Sequence, residues 1–262
     1  MTITGREATQ SVPPRCLCLA ADIESYGRLD TPTQSAVQAD LVRLLVEAAE
    51  LSGLDRVAWA CQTQGDQEFA VLPSDTPEEM VLTDFVRHLT ACLRRRNARD
   101  MTESSVRLRL AVDSGIASPA ALGFAGPAPV AVARFLNAPQ LKNALSALRG
   151  ADLAMVVSDR LFQDVVRSRA RGLDPDLYAR VHVNRKEFRG YGWLHVPGHS
   201  ADQVAAVART DEPVSPGSAA SMSTVYDHSQ NVRDGVAFKG DVTGDVNFGP
   251  SAGRVTQARD GL

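Results

Sequence analysis

The sequence predicts an α+β fold, in which one sheet is layered by helices over about residues 14–198. Apolar runs of strand length alternate with longer segments whose apolar residues recur at helical spacing. Glycine, proline and aspartate residues mark most of the boundaries between these segments. Two of the strand-like runs are separated only by a tight turn, which predicts antiparallel pairs within the sheet.

The first strand and the first helix are predicted from residues 15–51. Residues 15–23 are nearly all apolar, which is typical of a strand covered on both faces. Thr31 and Pro32 provide an N-cap and an N1 proline for a helix that ends at Gly53. The apolar stripe of this helix consists of Val37, Leu41, Leu44, Leu45, Ala48 and Leu51.

A hairpin and a second helix follow. The strands of the hairpin are predicted at 57–61 and 68–72, with the turn at Gly65 and Asp66. Thr76 and Pro77 open the second helix, whose apolar stripe consists of Val81, Phe85, Leu89 and Leu93.

The second half of the region repeats the alternation of strands and helices. The predicted elements are a strand at 106–112, an alanine-rich helix at 128–147, a buried strand at 153–157, a short helix from Ser158 through Val166, and a closing hairpin at 181–183 and 191–196. We interpret His182 and His195, which lie on the strands of this hairpin, as structural residues.

Composition excludes several classes of function. A net charge of −3 and a pI near 6 give no electrostatic footprint for nucleic acid. The basic cluster at 94–99 follows a predicted helix, where cations interact favourably with the helix dipole. The four cysteines lack the spacing of a disulfide framework or a zinc site. With neither a signal peptide nor a membrane span in the sequence, we expect a reduced, cytoplasmic protein.

Two aspartates point to a metal-binding site. Asp22 ends the first strand and Asp66 lies in the hairpin turn, so adjacent strands would bring both carboxylates to one end of the sheet. At about 5 Å and an effective dielectric constant near 20, the two charges would repel by roughly 3 kcal/mol. A divalent cation removes this repulsion, and Mg²⁺ commonly takes one or two carboxylates together with substrate phosphates. The pair therefore predicts a nucleotide-phosphate site, although each aspartate is also an ordinary residue for a strand end or a turn.

The termini differ in composition from the folded region. Residues 1–13 are predicted to be disordered, and residues 199–224, rich in Ser, Ala, Pro and Asp, are predicted to form a flexible linker. Residues 225–262 form a β-prone, low-complexity tail that repeats Gly-Asp-Val at 240 and 244. Short β-prone stretches of this kind are able to stack between chains, but a plain disordered tail is an equally good interpretation.

Four motifs together resemble the catalytic domain of class III nucleotidyl cyclases. They are Ala21-Asp-Ile-Glu-Ser-Tyr-Gly, Gln64-Gly-Asp-Gln-Glu-Phe-Ala-Val-Leu-Pro, Leu108-Arg-Leu-Ala-Val-Asp-Ser-Gly and Gly126-Pro-Ala-Pro-Val-Ala-Val-Ala-Arg-Phe-Leu-Asn-Ala. The ending Lys186-Glu-Phe-Arg-Gly-Tyr-Gly-Trp-Leu is similar to an actinobacterial branch of cyclase-like proteins. The resemblance covers about residues 14–197 and implies a ferredoxin-like βαββαβ core with a C-terminal αβ unit and hairpin.

The resemblance implies a metal-dependent site for a nucleoside triphosphate. Asp22 and Asp66, with the backbone carbonyl of Ile23, would hold two Mg²⁺ or Mn²⁺ ions. The backbone amides of Glu24, Ser25, Tyr26 and Gly27 would cradle phosphate oxygens. Arg134 would neutralise charge at the α-phosphate, and Lys186 or Arg189 would contact the triphosphate.

Three positions depart from the family pattern. Val130 stands where the family has an asparagine that orients the ribose, Gln62 replaces a base-reading lysine or glutamate, and the second base-reading position falls at about Gly123. Two hypotheses stay open. One is a cyclase that releases pyrophosphate, with the base unspecified. The other is a catalytically degenerate sensor or adaptor that dimerises and recruits a protein partner through its tail.

The resemblance also implies a homodimer. Family domains pair head to tail, so that Asp22 and Asp66 of one chain would face Arg134 of its partner. The tail is similar to glycine-, asparagine- and valine-rich motifs that end bacterial conflict-system proteins and bring effector and sensor together.

Overall fold

The computed structural model describes residues 14–99 and 105–209, which belong to one compact unit. The predicted N-terminal segment 1–13, most of the predicted linker and the whole tail at 225–262 lie outside the described residues. Within the described part of the chain, no helix is long and apolar enough to cross a membrane.

The described residues form the predicted α+β fold, with nine strands and seven α-helices. The strands are β1 (Arg15–Ile23), β2 (Ala60–Gln64), β3 (Gln67–Val71), β4 (Leu108–Ile116), β5 (Ser118–Ala120), β6 (Gly123–Ala125), β7 (Leu153–Ser158), β8 (Ala179–Arg185) and β9 (Phe188–His195). The helices are α1 (Thr31–Leu51), α2 (Glu78–Met80), α3 (Val86–Arg99), α4 (Pro127–Leu136), α5 (Pro139–Ala147), α6 (Asp159–Asp164) and α7 (Ala201–Val207); a π-helical turn at Val81–Phe85 joins α2 to α3.

Seven strands form the main sheet, in the order β2-β3-β1-β4-β7-β9-β8. Only the β4–β7 pair is parallel in this sheet, and the other neighbours are antiparallel. A separate small hairpin pairs β5 with β6. The confirmed α+β class thus combines hairpins with helical crossovers, as the alternating sequence pattern predicts.

Helices cover the sheet on both faces. The layer on one side contains buried residues of α1, α3 and α6, such as Leu44, Leu89 and Leu161. The layer on the other side contains buried residues of α4, α5 and α7, such as Phe135 and Leu141. Because side chains alternate along a strand, Leu19 and Ala21 of β1 face the first layer, whereas Cys18, Ala20 and Asp22 face the second.

The structure corrects the predicted limits of helix α1 and of two strands. The side chain of Asp30, one residue earlier than predicted, accepts a hydrogen bond from the Thr33 amide and caps α1. Leu51 lies on the predicted apolar stripe but is 52% exposed, because it is the last residue of the helix. Because Arg56–Ala58 form a 3₁₀ turn, β2 begins at Ala60 and not at the predicted residue 57. Strand β4 extends over Leu108–Ile116 instead of 106–112.

The predicted helix at 128–147 is two helices, α4 and α5. Pro139 cannot donate a backbone hydrogen bond, and it disfavours helical geometry at the preceding residue. Ala138 accordingly has extended backbone angles, and α5 begins afresh at Pro139.

The prediction of a flexible linker from residue 199 is wrong for residues 201–207, which form α7. Ser200 and Gln203 form a capping box, in which each side chain bonds the backbone amide of the other residue. Val204 is fully buried in the layer that contains α4 and α5, so this short helix is part of the folded unit.

Candidate functional site

The β2–β3 hairpin brings Asp66 to the end of β1 where Asp22 lies. Strand β3 pairs with β1 so that Gln67 is opposite Asp22, and the amide of Ile23 donates a 3.2 Å hydrogen bond to the carbonyl of Asp66. The turn is therefore fixed against the residue that follows Asp22. Asp22 of β1 and Asp66 of the turn thus belong to the same end of the sheet, and Ile23, the third predicted metal ligand, bonds the turn through its amide.

Gln38 of α1 ties the hairpin turn to the loop that follows β1. Its Nε2 atom donates to the carbonyl of Gly65 at 3.0 Å and to the hydroxyl of Tyr26 at 2.6 Å. A single amide therefore links three segments around the two aspartates. Gln38 was not among the predicted site residues, because nothing in the helical pattern of α1 shows which tertiary partner a polar residue meets.

Asp22 is only 7% exposed, and its carboxyl group lies among charged groups. Burial raises the pKa of Asp22 above its ordinary value. The positive charge of Arg109, and more weakly that of Lys142, opposes this rise in the pKa, whereas the negative charge of Asp66 adds to it. The charge of Asp66 thus acts on the pKa of Asp22 in the same direction as burial.

Arg109 of β4 is the direct partner of Asp22. The two residues are opposite each other in the β1–β4 pair, and Nη2 of Arg109 donates to Oδ1 of Asp22 at 2.6 Å. Nε of Arg109 is buried and has no hydrogen-bond partner in the described part of the chain. Arg109 was not among the predicted site residues, although the alternation of Leu108, Arg109 and Leu110 places the arginine on the sheet face opposite the two leucines.

Asp22, Asp66 and the carbonyl group of Ile23 offer oxygen ligands of the kind that a hard divalent cation takes. Among the described residues, no group of three or more His, Cys, Asp or Glu side chains is arranged to hold a metal. Two carboxylates are nonetheless the number that Mg²⁺ commonly takes when substrate phosphates complete its coordination. The residues therefore fit a cation that binds together with a nucleotide. One oxygen of Asp22 is already engaged by Arg109, which lowers the fit for a metal alone.

The predicted phosphate loop is only partly available. The amide of Glu24 donates to the carbonyl of Arg107 at 2.9 Å, so the prediction that this amide binds phosphate is wrong. The carboxylate of Glu24 also pairs with Arg107, at 2.6 Å. The residues from Ser25 to Gly27 form the start of a 3₁₀ turn, in which Ser25 has a φ of +60°. The first amides of such a turn have no acceptor within the turn itself.

The two predicted base-reading positions lie in contact. Nε2 of Gln62 donates to the carbonyl of Leu122 at 3.3 Å, and its side chain lies against Gly123. Phe69 and Phe124 pack beside them, with ring centroids 6.0 Å apart. The small β5–β6 hairpin thus brings Gly123 into contact with the exposed side chain of Gln62 on β2. The sequence alone did not show this contact.

The predicted catalytic residues lie at the opposite end of the sheet. Arg134 of α4 is 3.7 Å from the carboxylate of Glu187, in the β8–β9 turn that also contains Lys186. The register places this turn beyond Ser158 of β7, whereas Asp22 is level with Ala154 at the start of β7. Arg189 lies six residues from the Asp22 end of β9, a distance of about 20 Å along the strand. Within one chain, the two aspartates are therefore distant from Arg134, Lys186 and Arg189.

Val130 lies one helical turn before Arg134 on α4 and is partly buried. Its side chain has no hydrogen-bonding group, so it cannot orient a ribose hydroxyl as an asparagine would. Nε of Arg134 is buried and has no partner among the described residues, so the guanidinium retains unused donor capacity.

Comparison with solved structures finds adenylate and guanylate cyclase domains. The adenylate/guanylate cyclase/hydrolase from Silicibacter pomeroyi is 19% identical, with a TM-score of 0.49 over 71% of this chain and 98% of that chain. A bacterial light-regulated adenylyl cyclase is 10% identical (TM-score 0.48; 74% of this chain and 96% of that chain). The guanylate cyclase domain from Catenaria anguillulae, solved with GTP, is 15% identical (TM-score 0.46; 70% and 96%).

No protein-family model matches the chain, and no curated protein matches its sequence significantly. The sequence identities and TM-scores are too low for these structures to support any statement about the site of this chain. The chemistry of the site rests on its own residues.

Proposed function

We propose that this chain binds a nucleoside triphosphate with a divalent cation at Asp22 and Asp66, and converts it to a cyclic nucleotide with release of pyrophosphate. The observation that carries the proposal is the hydrogen bond between the Ile23 amide and the Asp66 carbonyl, which fixes the hairpin turn against the end of β1 where Asp22 lies. The sequence motifs shared with class III cyclases support the reaction type. The base remains unspecified.

In the proposed reaction, the carboxylates, the backbone amides and Gln62 have different roles. Asp22 and Asp66 provide the negative charge that holds the cation and its triphosphate at the sheet end. When bound, the cation would lower the pKa of the ribose 3′-hydroxyl and stabilise charge on the phosphates. The amides of Ser25, Tyr26 and Gly27 would donate to phosphate oxygens. Gln62 presents a side-chain amide, which both donates and accepts, to the base.

We further propose that the complete site forms between two copies of the chain. Arg134, Lys186 and Arg189 lie at the sheet end remote from Asp22, so they cannot reach the same phosphate from within one chain. A head-to-tail homodimer would place Arg134 of one protomer beside the aspartates of its partner. Its permanent charge would then neutralise the developing charge at the α-phosphate.

A second candidate is a nucleotide-binding sensor or adaptor without turnover, which recruits a protein partner through its tail. Two observations favour it: Val130 offers no hydrogen bond to the ribose, and Arg109 already pairs with Asp22. Loss of one orienting donor lowers a rate by about 10²-fold or more without removing the metal chemistry. Val130 alone therefore does not select the adaptor.

The decisive experiment measures both binding and turnover. Purified protein is incubated with each of the four nucleoside triphosphates and Mn²⁺, while pyrophosphate release and nucleotide binding are followed. The cyclase proposal expects pyrophosphate from at least one nucleotide, with loss of the signal in Asp66→Asn. The control Glu50→Gln removes an exposed carboxylate on α1 and should leave turnover intact. Binding without pyrophosphate selects the adaptor, and the absence of both contradicts a nucleotide site.

A further inference from the structure

We propose that Arg109 is an internal counter-ion that competes with the divalent cation for Asp22, so that metal uptake requires the arginine to leave the carboxylate. This inference rests on the proposed function, because it concerns the same metal-binding aspartate. Arg109 would set the affinity of the site for the metal, and the arginine would leave Asp22 before the metal binds there.

The competition follows from the position of Arg109 in the sheet. Arg109 and Asp22 face each other across the β1–β4 pair, and their side chains are only 12% and 10% exposed. Nη2 of Arg109 and Oδ1 of Asp22 are 2.6 Å apart, which is the length of a charge-assisted hydrogen bond. Both charges are thus withdrawn from most of the solvent that would screen them.

A guanidinium and a divalent cation on the same buried carboxylate repel each other. Any metal ion on the free oxygen of Asp22 would lie within a few ångströms of the arginine, where two cations repel strongly at low dielectric. Asp22 is also the only acidic side chain with which Arg109 forms an ion pair in the described part of the chain. The metal therefore has to displace the arginine from Asp22 before it binds there.

The arginine is held by few contacts other than Asp22, which makes exchange feasible. Its Nε atom is buried without a hydrogen-bond partner among the described residues, so this orientation leaves one donor unsatisfied. Arg107, two residues earlier, contrasts with it, because it donates to the carbonyl groups of Ala151 and Leu148 as well as to Glu24. Arg107 is a structural arginine, and Arg109 is the arginine able to exchange.

The test is a titration of Mn²⁺ followed by electron paramagnetic resonance, without nucleotide. Arg109→Met keeps most of the side-chain volume and removes the charge, so it should tighten Mn²⁺ binding by about tenfold or more, the typical equivalent of one charge-assisted bond. The matched control is Arg43→Met, which removes an exposed arginine that pairs with Asp40 on α1, on the other side of the sheet. The control should leave the Mn²⁺ affinity unchanged.

A second measurement uses the unmodified protein, in case Arg109→Met fails to fold around an unpaired Asp22. Arginine side-chain Nε signals are followed by NMR during a Mg²⁺ titration, and the Arg109 signal is assigned by its loss in Arg109→Lys. Displacement from Asp22 should shift this signal as the metal binds, while the Arg43 signal stays in place. A metal that binds without moving the Arg109 signal would overturn the proposal.

The outcomes separate this inference from the proposed function. If wild type binds Mn²⁺, Asp22→Asn loses it and Arg109→Met binds no more tightly than wild type, the competition is refuted and the metal site stands. If wild type binds poorly and Arg109→Met gains affinity, the competition is supported. If neither protein binds Mn²⁺ at millimolar concentration, this inference is refuted, whereas the proposed function, in which the cation binds together with a nucleotide, is decided by the pyrophosphate assay.

Discussion

The side-chain amide of Gln62 lies directly over the α-carbon of Gly123. A Cβ atom built on Gly123 would lie 2.2 Å from Oε1 and 2.9 Å from Cδ of Gln62, and Gly123 has a φ of +116°. The backbone angle requires glycine, whereas the exposed Gln62 side chain is able to move aside from an added Cβ. Because Gly123 has no side chain, Gln62 is able to take its observed position. The same absence leaves no side chain at 123 to contact a base.

We predict that Gly123→Ala destabilises the fold by about 1–3 kcal/mol, chiefly through backbone strain at its positive φ and to a smaller extent through displacement of the Gln62 side chain. Combining it with Gln62→Ala should recover the part that comes from the clash but not the part that comes from φ. Urea unfolding of the two single variants and the double variant measures this coupling. Gly150→Ala is the control, because its Cβ would meet nothing within 4 Å. Strict additivity of the two changes would refute the contact.

Local features of the site follow from the sequence because they depend on neighbouring residues. The first strand and the turn at Gly65 and Asp66 were predicted within a residue or two, since an apolar run and a Gly-Asp turn are short-range signals. The break between α4 and α5 also depends on a short-range signal, because Pro139 interrupts the helical hydrogen bonds. The capping box of Ser200 and Gln203 is equally visible as a Ser-x-x-Gln pattern before Val204.

The remaining features depend on register and on contacts distant in sequence. The pairing of Arg109 with Asp22 requires β4 to lie beside β1 in one specific alignment, across 87 residues. The contact of Gln62 with Gly123 depends on how the β5–β6 hairpin folds back, across 60 residues to Leu122. A one-residue slip in either pairing would move the side chain to the other sheet face. No local pattern in a single sequence fixes such an alignment.

Gln38 is predicted to act as a positioning residue for the metal site. Gln38→Met keeps the length of the side chain but removes both hydrogen bonds, to Gly65 and Tyr26. The Gly65–Asp66 turn should become more mobile, which should weaken Mn²⁺ binding several-fold while the unfolding free energy falls by only about 1–2 kcal/mol.

A matched control for Gln38 is available one turn earlier on α1. Gln34 donates to the carbonyl groups of Leu29 and Tyr26 but has no hydrogen bond to the hairpin, so Gln34→Met should affect stability without changing Mn²⁺ affinity. Equal effects of both variants on metal binding would show that the turn does not depend on Gln38.

His195 should make the stability of the protein depend on pH. Its ring stacks on Tyr178 at 4.9 Å, and burial lowers its pKa below the ordinary value of 6.5. The unfolded chain therefore binds the proton more readily than the folded chain, so stability falls as the pH drops from 6.5 towards the lower folded pKa. Urea unfolding across this range should show a smaller fall for His195→Gln. The control His182→Gln, at an exposed position on β8, should keep the wild-type slope.

The shared site is tested by mixing two inactive chains. Asp66→Ala should disable the metal side and Arg134→Ala the phosphate side, and each homodimer then contains two broken sites. In a mixed dimer, one site carries both defects and the other carries neither. If the chains exchange freely in equal amounts, half of the dimers are mixed and half of their sites are intact, so about a quarter of the wild-type pyrophosphate release should return.

The control pair for this mixing experiment is Asp66→Ala with Asp22→Ala, because both changes lie on the metal side and every site keeps a defect. This pair should recover nothing. The geometry makes the contrast sharp, since Arg134 pairs with the β8–β9 turn at the far end of the sheet and cannot reach Asp66 of its own chain. If mixed dimers form and the first pair also stays inactive, Arg134 does not act across the interface and the site is not shared.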